Sequence, residues 1–140
     1  MRYSHQREAI KKIVQGTNSH PTADLIFNHT KKIIPNISLG TVYRNLKRLE
    51  EEGEINTIYD GNIVRYDWNT ESHDHLKCKE CGDLVDVHLV HEEFTSKVKR
   101  KFKFDVDNVE ITVIGTCSKH TYNRIYYGRK WKMPRFTRVE

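Results

Sequence analysis

No stretch of this 140-residue chain approaches the roughly 18 consecutive apolar residues that a membrane-spanning helix needs. The opening residues, Met1-Arg2-Tyr3-Ser4-His5-Gln6, lack the apolar run of a secretory signal. Cysteine is scarce: three residues, an odd number, two of them in a Cys-x-x-Cys turn. Such usage argues against a disulfide framework and for metal binding in a reducing compartment, so the expected location is the cytoplasm, with no membrane partner. The sequence holds no internal repeat and no low-complexity segment. Hydrophobic residues make up 36% and charged residues 31%, which is polar for one compact core and suits two modest cores, or a dimer sharing one. The formal charge of +5 suits a polyanionic partner without identifying nucleic acid by itself.

The first third reads as helical. Ser4 can cap a helix carrying Ala9, Ile10, Ile13 and Val14 that stops at Gly16. Thr22 can cap a second through Leu25, Ile26 and Phe27, before Pro35-Asn36 breaks the chain. Ser38 can cap a third, with Val42, Leu46 and Leu49 at i, i+4, i+7 and Gly53 as its stop. Two strand-like runs, Ile55–Tyr59 and Ile63–Trp68, flank Asp60-Gly61-Asn62, a strong hairpin signal. Three short helices and a hairpin form a winged helix-turn-helix pattern, assigned to residues 1–68.

A polar hinge is expected over 69–74, and the character then changes. His75–Lys77 and Leu84–His88 read as strands, Glu92–Phe104 as a helix with Phe94, Val98 and Phe102 in register, and Val109–Ile114 as β-rich. The unit at 75–120 is thus α+β, and at about 50 residues it calls for a metal, a partner chain or both. A basic, aromatic tail at 121–140 fits neither the helical nor the strand period, and its role is open.

The third helix has the make-up of a DNA-reading element. Beside its apolar stripe stand Ser38, Thr41, Tyr43, Arg44, Asn45, Lys47 and Arg48. Arg can take guanine bidentately, Asn can take adenine, Tyr can pack on a thymine methyl, and the remaining cations can hold phosphates. An amphipathic helix with a solvated charged face has the same pattern, and the helix–Pro–helix–hairpin context favours the DNA reading.

Cys78-Lys79-Glu80-Cys81-Gly82 is a zinc-knuckle turn, whose spacing lets two thiolates reach one ion while glycine permits the tight backbone. Cys117-Ser118-Lys119-His120 offers a second pair. Cys78, Cys81, Cys117 and His120 together make a Cys₃His structural zinc set with no open position. A redox Cys-x-x-Cys would sit at a helix start in a βαβ unit, and this turn lies between strands.

His73-Asp74-His75 places two imidazoles on one side of an extended segment. Asp67 closes the wing, Asp86 follows the cysteine turn, and His20 lies between the first two helices. A mixed imidazole–carboxylate set suits Fe²⁺ or Mn²⁺ better than a thiolate set does. Singly, each residue also has a plainer role: His20 as a loop cap, Asp67 as a partner of Arg65, Asp86 exposed.

The run His20-Pro21-Thr22-Ala23-Asp24, Ser38–Leu49, Arg65-Tyr66-Asp67, His73-Asp74-His75-Leu76-Lys77-Cys78-x-x-Cys81-Gly82 to Asp86, with Gly115-Thr116-Cys117, resembles the ferric uptake regulator (Fur) family in order and spacing over roughly residues 3 to 120. The resemblance implies a homodimer that binds a double-stranded operator, with a winged-helix DNA-binding domain followed by a small α/β dimerisation domain. It also implies a structural Zn²⁺ and a regulatory metal between the domains on His20, Asp67, His73, His75 and Asp86. Aspartate at Asp86 resembles the peroxide-sensing branch, whereas iron-sensing members carry glutamate there. In that branch Fe²⁺ reacts with hydrogen peroxide and a histidine matching His20 or His73 is oxidised. The metal is lost and DNA is released, while Mn²⁺ supports repression without this chemistry. Gln6 and Arg7 match phosphate contacts.

Two departures accompany the likeness: His120 stands where the family has a second Cys-x-x-Cys, and Val109 stands near a further family histidine. His88 and His91 are read as solvent-exposed rather than as an accessory site. The implied function is a metal-dependent repressor, not an enzyme, with no small organic substrate. An iron- or zinc-availability regulator without peroxide chemistry is the near alternative, and a zinc-ribbon metalloenzyme the distant one.

Overall fold

The computed structural model describes residues 4–121, so the tail from residue 122 onward lies outside the described residues. The chain begins with three helices, α1 (His5–Gln15), α2 (Ala23–Ile33) and α3 (Leu39–Glu51), and each expected cap is in use. Ser4 Oγ accepts from Arg7 N at 3.3 Å, Thr22 Oγ1 from Leu25 N at 3.3 Å, and Ser38 Oγ from Thr41 N at 3.2 Å. Each bond satisfies an amide that the first helical turn leaves without a carbonyl partner. The inward faces meet in one core: Ile10 and Val14, Ala23 and Ile26, Val42, Leu46 and Leu49, closed by Ile37, Ile55 and Tyr66.

Strands β1 (Asn56–Asp60) and β2 (Ile63–Asp67) form the antiparallel wing. Asp60 pairs with Ile63, so the loop is Gly61-Asn62 with Gly61 at φ +61°, the glycine-favoured first position of a two-residue hairpin. The wing is stitched to the α1–α2 loop. Thr22 bridges Arg65, and Tyr66 N–H donates to the Pro21 carbonyl at 2.9 Å. This stitching fixes His20 beside the end of β2.

The second unit contains β3 (Asp74–Cys78), β4 (Leu84–Val87), α4 (Glu92–Phe102) and β5 (Thr112–Gly115), with sheet order β4-β3-β5. The β3–β4 pair is antiparallel, and α4 makes the crossover to a parallel β5. Helix α4 stops at Phe102, short of the expected Phe104, because Lys103 turns into the left-handed region at φ +49°. Strand β5 begins later than expected, at Thr112. Ile111 N–H is taken by Asp74 Oδ1 at 2.8 Å rather than by a ladder. Asp74 itself starts β3 rather than ending the hinge.

This second unit buries little. Its buried apolar residues among those described are Cys78 and Leu84, whereas Val85, Leu76 and Val113, in register across all three strands, are exposed. Helix α4 buries nothing, and Phe94 and Phe102 are open to solvent. The architecture is α+β, a winged helix-turn-helix followed by a small α/β unit. No helix among the described residues is long and apolar enough to cross a membrane.

Candidate metal centres and the DNA-facing helix

The cysteine turn is shaped by its backbone. Gly82 N–H donates to Cys78 O at 2.8 Å, Cys78 N–H to Asp83 O at 2.9 Å, and Gly82 takes φ +77°. A short helical turn after β5 carries the second pair, with His120 N–H on Cys117 O at 2.9 Å. The donor atoms of Cys78, Cys81, Cys117 and His120 all lie within 4.8 Å of one another. Thiolates at 2.3 Å on one tetrahedral ion would stand about 3.8 Å apart. Cys81 Sγ and Cys117 Sγ are 3.9 Å apart, and His120 Nδ1 is 3.0 Å from Cys117 Sγ. The donor set therefore fits zinc. Amide N–H donors from Cys117 and Cys81 lower the Cys78 pKa to about 6. The Asp83 amide lowers Cys81 too, but burial and the neighbouring thiols of Cys78 and Cys117 outweigh it and push Cys81 up to about 11, so the first thiolate of the set falls on Cys78.

The second cluster gathers every residue expected of it. Donor atoms of His20, Asp67, His73, His75 and Asp86 lie within 4.8 Å of one another. Asp86 Oδ1 is 2.7 Å from His20 Nε2 and 3.1 Å from both His73 Nε2 and His75 Nε2. Asp67 Oδ2 is 2.8, 3.3 and 3.5 Å from the same atoms of His73, His20 and His75. Donors about 2.1 Å from one ion and at right angles stand about 3.0 Å apart.

Tautomers make the case stronger. His20 Nδ1 lies 2.9 Å from Leu84 O and His73 Nδ1 2.6 Å from Glu71 O. A carbonyl only accepts, so in both rings Nδ1 carries the proton and Nε2 of the neutral ring is a lone pair. Those lone pairs point at carboxylate oxygens, which also only accept. A proton or a cation must lie between. His75 Nε2, also buried here, finds no hydrogen-bond partner, and a metal ion would satisfy it.

Without an ion, a proton on each ring would take that place. Burial lowers the pKa values of His20 and His73, but the carboxylates of Asp67 and Asp86 outweigh it, helped at His73 by the Glu71 carbonyl, and both end up raised. Burial pushes Asp67 up, yet the His20 hydrogen bond, the Asn69 amide and His73 bring it down to about 2. Raised histidines stabilise the fold below their ordinary 6.5 and lose that contribution as pH rises through their folded values. The depressed aspartate stabilises above its ordinary 3.8 and loses it as pH falls towards 2. The cluster of the metal-free chain should therefore stabilise most between these limits. A divalent ion held by these rings would have to displace the protons, so the affinity of this cluster for an ion such as Mn²⁺ should rise with pH through and above 6.5. Calorimetric titrations in buffers of different ionisation enthalpy would show the proton release; affinity independent of pH would refute it.

On α3, Ser38, Tyr43, Arg44, Lys47 and Arg48 are exposed and Thr41 half-exposed. Ser38 and Thr41 hydroxyls meet at 2.9 Å, Arg44 Nη2 donates to Thr41 Oγ1 at 3.0 Å, and Arg48 Nε to Glu52 at 2.6 Å. Asn45 corrects an expectation. It is 9% exposed and its Nδ2 donates to the Thr41 carbonyl at 2.9 Å, so it sits on the buried side and braces the helix. Arg7 on α1 is half-buried.

Two of the plainer roles are displaced as well. Arg65 pairs with Asp60, Nε to Oδ2 2.9 Å, leaving Asp67 to the histidines. His91 is not free in solvent but meets Asp74 Oδ2 at 2.8 Å, while His88 is exposed as expected. Asp74 is a hub that reading by motif missed: Leu89 N–H, Ile111 N–H and His91 all converge on its carboxylate. Its place between His73 and His75 was the available signal.

The comparisons agree with this geometry. The model of the ferric uptake regulator family matches residues 1–114. The peroxide-responsive repressor PerR of Staphylococcus epidermidis is 33% identical over 121 residues, spanning 85% of this chain and 81% of that protein. The solved Helicobacter pylori ferric uptake regulator Fur has a TM-score of 0.78 at 23% identity, covering 86% of this chain and 83% of that one, a likeness of fold. The Campylobacter jejuni peroxide stress regulator has a TM-score of 0.66 at 30% identity, covering 81% and 87%. With the winged helix and two donor clusters in place, the chain belongs to the ferric uptake regulator family.

Proposed function

We propose that this chain is a homodimeric repressor that binds operator DNA when its five-donor cluster holds Fe²⁺ or Mn²⁺, and that peroxide relieves repression. Members of the family are transcriptional regulators, which sets the metalloenzyme alternative aside. The observation that carries the reading is where the ligands come from. His20 and Asp67 belong to the winged-helix part (residues 1–68), and His73, His75 and Asp86 to the hinge and the unit that follows (69–74 and 75–120). One ion on all five ligands fixes the angle between these parts, selecting the arrangement in which paired α3 helices meet successive major grooves.

Zn²⁺ on Cys78, Cys81, Cys117 and His120 is the structural metal. The exposed Val85–Leu76–Val113 row and the bare stripe of α4 supply the apolar surface a second copy would cover. Ser38, Thr41, Tyr43, Arg44, Lys47 and Arg48, with Arg7, face DNA. The setting is the cytoplasm, where thiols stay reduced. Bound Fe²⁺ supplies reactivity toward hydrogen peroxide, and His20 and His73 are the imidazoles whose oxidation would remove a ligand.

Operator duplexes selected from a random pool by the Mn²⁺-loaded protein allow a direct test. Fe²⁺-loaded protein should lose DNA binding on peroxide treatment, with one oxygen added to a peptide containing His20 or His73. Mn²⁺-loaded protein should keep both. If Fe²⁺-loaded protein survives peroxide unmodified, the chain reports metal availability alone. Equal binding with and without every divalent ion would end the repressor mechanism.

A further inference from the structure

Three charged side chains outside both donor sets join the wing to the second unit. Asp60, 8% exposed at the end of β1, lies between two cations: Arg65 Nε donates to its Oδ2 at 2.9 Å, and Lys77 of β3 meets its Oδ1. Arg65 reaches further. Its Nη1 donates to the carbonyl oxygen of His20 at 3.2 Å and its Nη2 to that of Gly82 at 3.4 Å. One guanidinium thus holds the main chain of a ligand in the five-donor cluster and the main chain of the cysteine turn.

Both residues it holds are left-handed, His20 at φ +53° and Gly82 at φ +77°. Glycine takes that conformation at little cost, but for histidine it is strained and persists only where the surroundings over-determine it. Here the surroundings are Arg65 on the His20 carbonyl, Leu84 O on its Nδ1, and Tyr66 N–H on the Pro21 carbonyl. Leu84 and Gly82 both belong to the segment that closes the cysteine turn. The ring and the carbonyl of His20 therefore depend on that turn.

We propose that Arg65 is a positioning residue that couples the two metal sites, an inference that rests on the two-site reading above. With the turn closed on its ion, Gly82 and Leu84 present fixed carbonyls, Arg65 keeps His20 left-handed, and His20 Nε2 stays aimed into the five-donor cluster. Linkage then requires that each site, when filled, tighten the other by the same factor. Lysine cannot substitute: a single ammonium can neutralise Asp60 but cannot fork across acceptors on three separate segments.

The test is equilibrium competition for zinc between the full chain and a chromogenic chelator, with and without saturating Mn²⁺. In the unaltered chain Mn²⁺ should tighten zinc retention about 5-fold or more, the lower end of ordinary coupling. Arg65→Lys should bring that ratio close to one while still binding zinc. Asp60→Asn removes the anion that seats Arg65 and should reduce the ratio too, which keeps the test open if Arg65→Lys does not fold. A purely structural role would weaken zinc equally with and without Mn²⁺. An unchanged ratio in the folded variants overturns the proposal, as does a ratio of one in an unaltered chain that binds both metals. An unaltered chain that binds no Mn²⁺ overturns the five-donor reading itself, and the missing Mn²⁺ step in the titration tells that failure apart.

Discussion

Replacing Cys78 by serine should unfold the second unit while leaving the winged helix standing. Structural zinc contributes about 10–16 kcal/mol in small zinc-folded peptides, as much as or more than the roughly 5–15 kcal/mol that holds a whole domain together. The second unit has little else to rely on, since its buried apolar residues among those described are Cys78 and Leu84. The ten-residue core from Ile10 to Tyr66 lies wholly within the first part and does not involve the thiols. Limited proteolysis should cut Cys78→Ser beyond residue 74 and spare a fragment carrying the three helices and the wing. Size-exclusion chromatography should show loss of the proposed dimer. A variant that melts and elutes like the unaltered protein would show that the thiol cluster holds no structural ion.

His73→Ala should abolish metal-dependent DNA binding without touching zinc content. Losing even a hydrogen-bond partner of a ligand histidine typically costs 10–100-fold in metal affinity, and in the proposed site His73 is itself a donor, so a loss of at least about 100-fold for Mn²⁺ is expected. Its Nε2 is 2.8 Å from Asp67 Oδ2 and 3.1 Å from Asp86 Oδ1, so its removal leaves both carboxylates short of a partner. The fold should survive, because His73 precedes β3 and contributes nothing to the apolar core. Anisotropy with a labelled duplex, read across a Mn²⁺ titration at constant salt, measures the effect. Unaltered Mn²⁺-dependent binding would remove the five-donor cluster from the mechanism.

The cysteine turn and the paired histidines were legible in the sequence because their chemistry is local, whereas His20, Asp67 and Asp86 joined the candidate set only through the family resemblance. Cys-x-x-Cys-Gly announces a turn, and His-x-His announces one face of a strand. The hydroxyl caps at Ser4, Thr22 and Ser38 were legible for the same reason, since a cap needs only the three residues that follow it. What escaped depends on contacts between distant segments. Asn45 has the residue type and helical position of a base reader, yet its amide turns back to its own helix. Arg65 looked like a partner for Asp67, which lies on the same strand face two residues away, but Asp60 on the neighbouring strand and the carbonyls of His20 and Gly82 take its guanidinium instead. The end of α4 depends on one left-handed lysine, and the start of β5 on a carboxylate more than thirty residues earlier in the chain. No pattern within a helix or strand period carries that information.

The carbonyls of Leu84 and Glu71, which fix the rings of His20 and His73, also bear on how such a centre can diversify. Main-chain acceptors do not change when a side chain mutates, so the directions of these two nitrogen donors are inherited with the fold. The carboxylates remain adjustable. Lengthening Asp86 to glutamate inserts one carbon–carbon bond of about 1.5 Å between strand and oxygen, comparable to half the spacing between neighbouring donors. A change of ion preference at this cluster would then fall to the reach of the two acids, around a pair of imidazoles whose aim is set by the backbone.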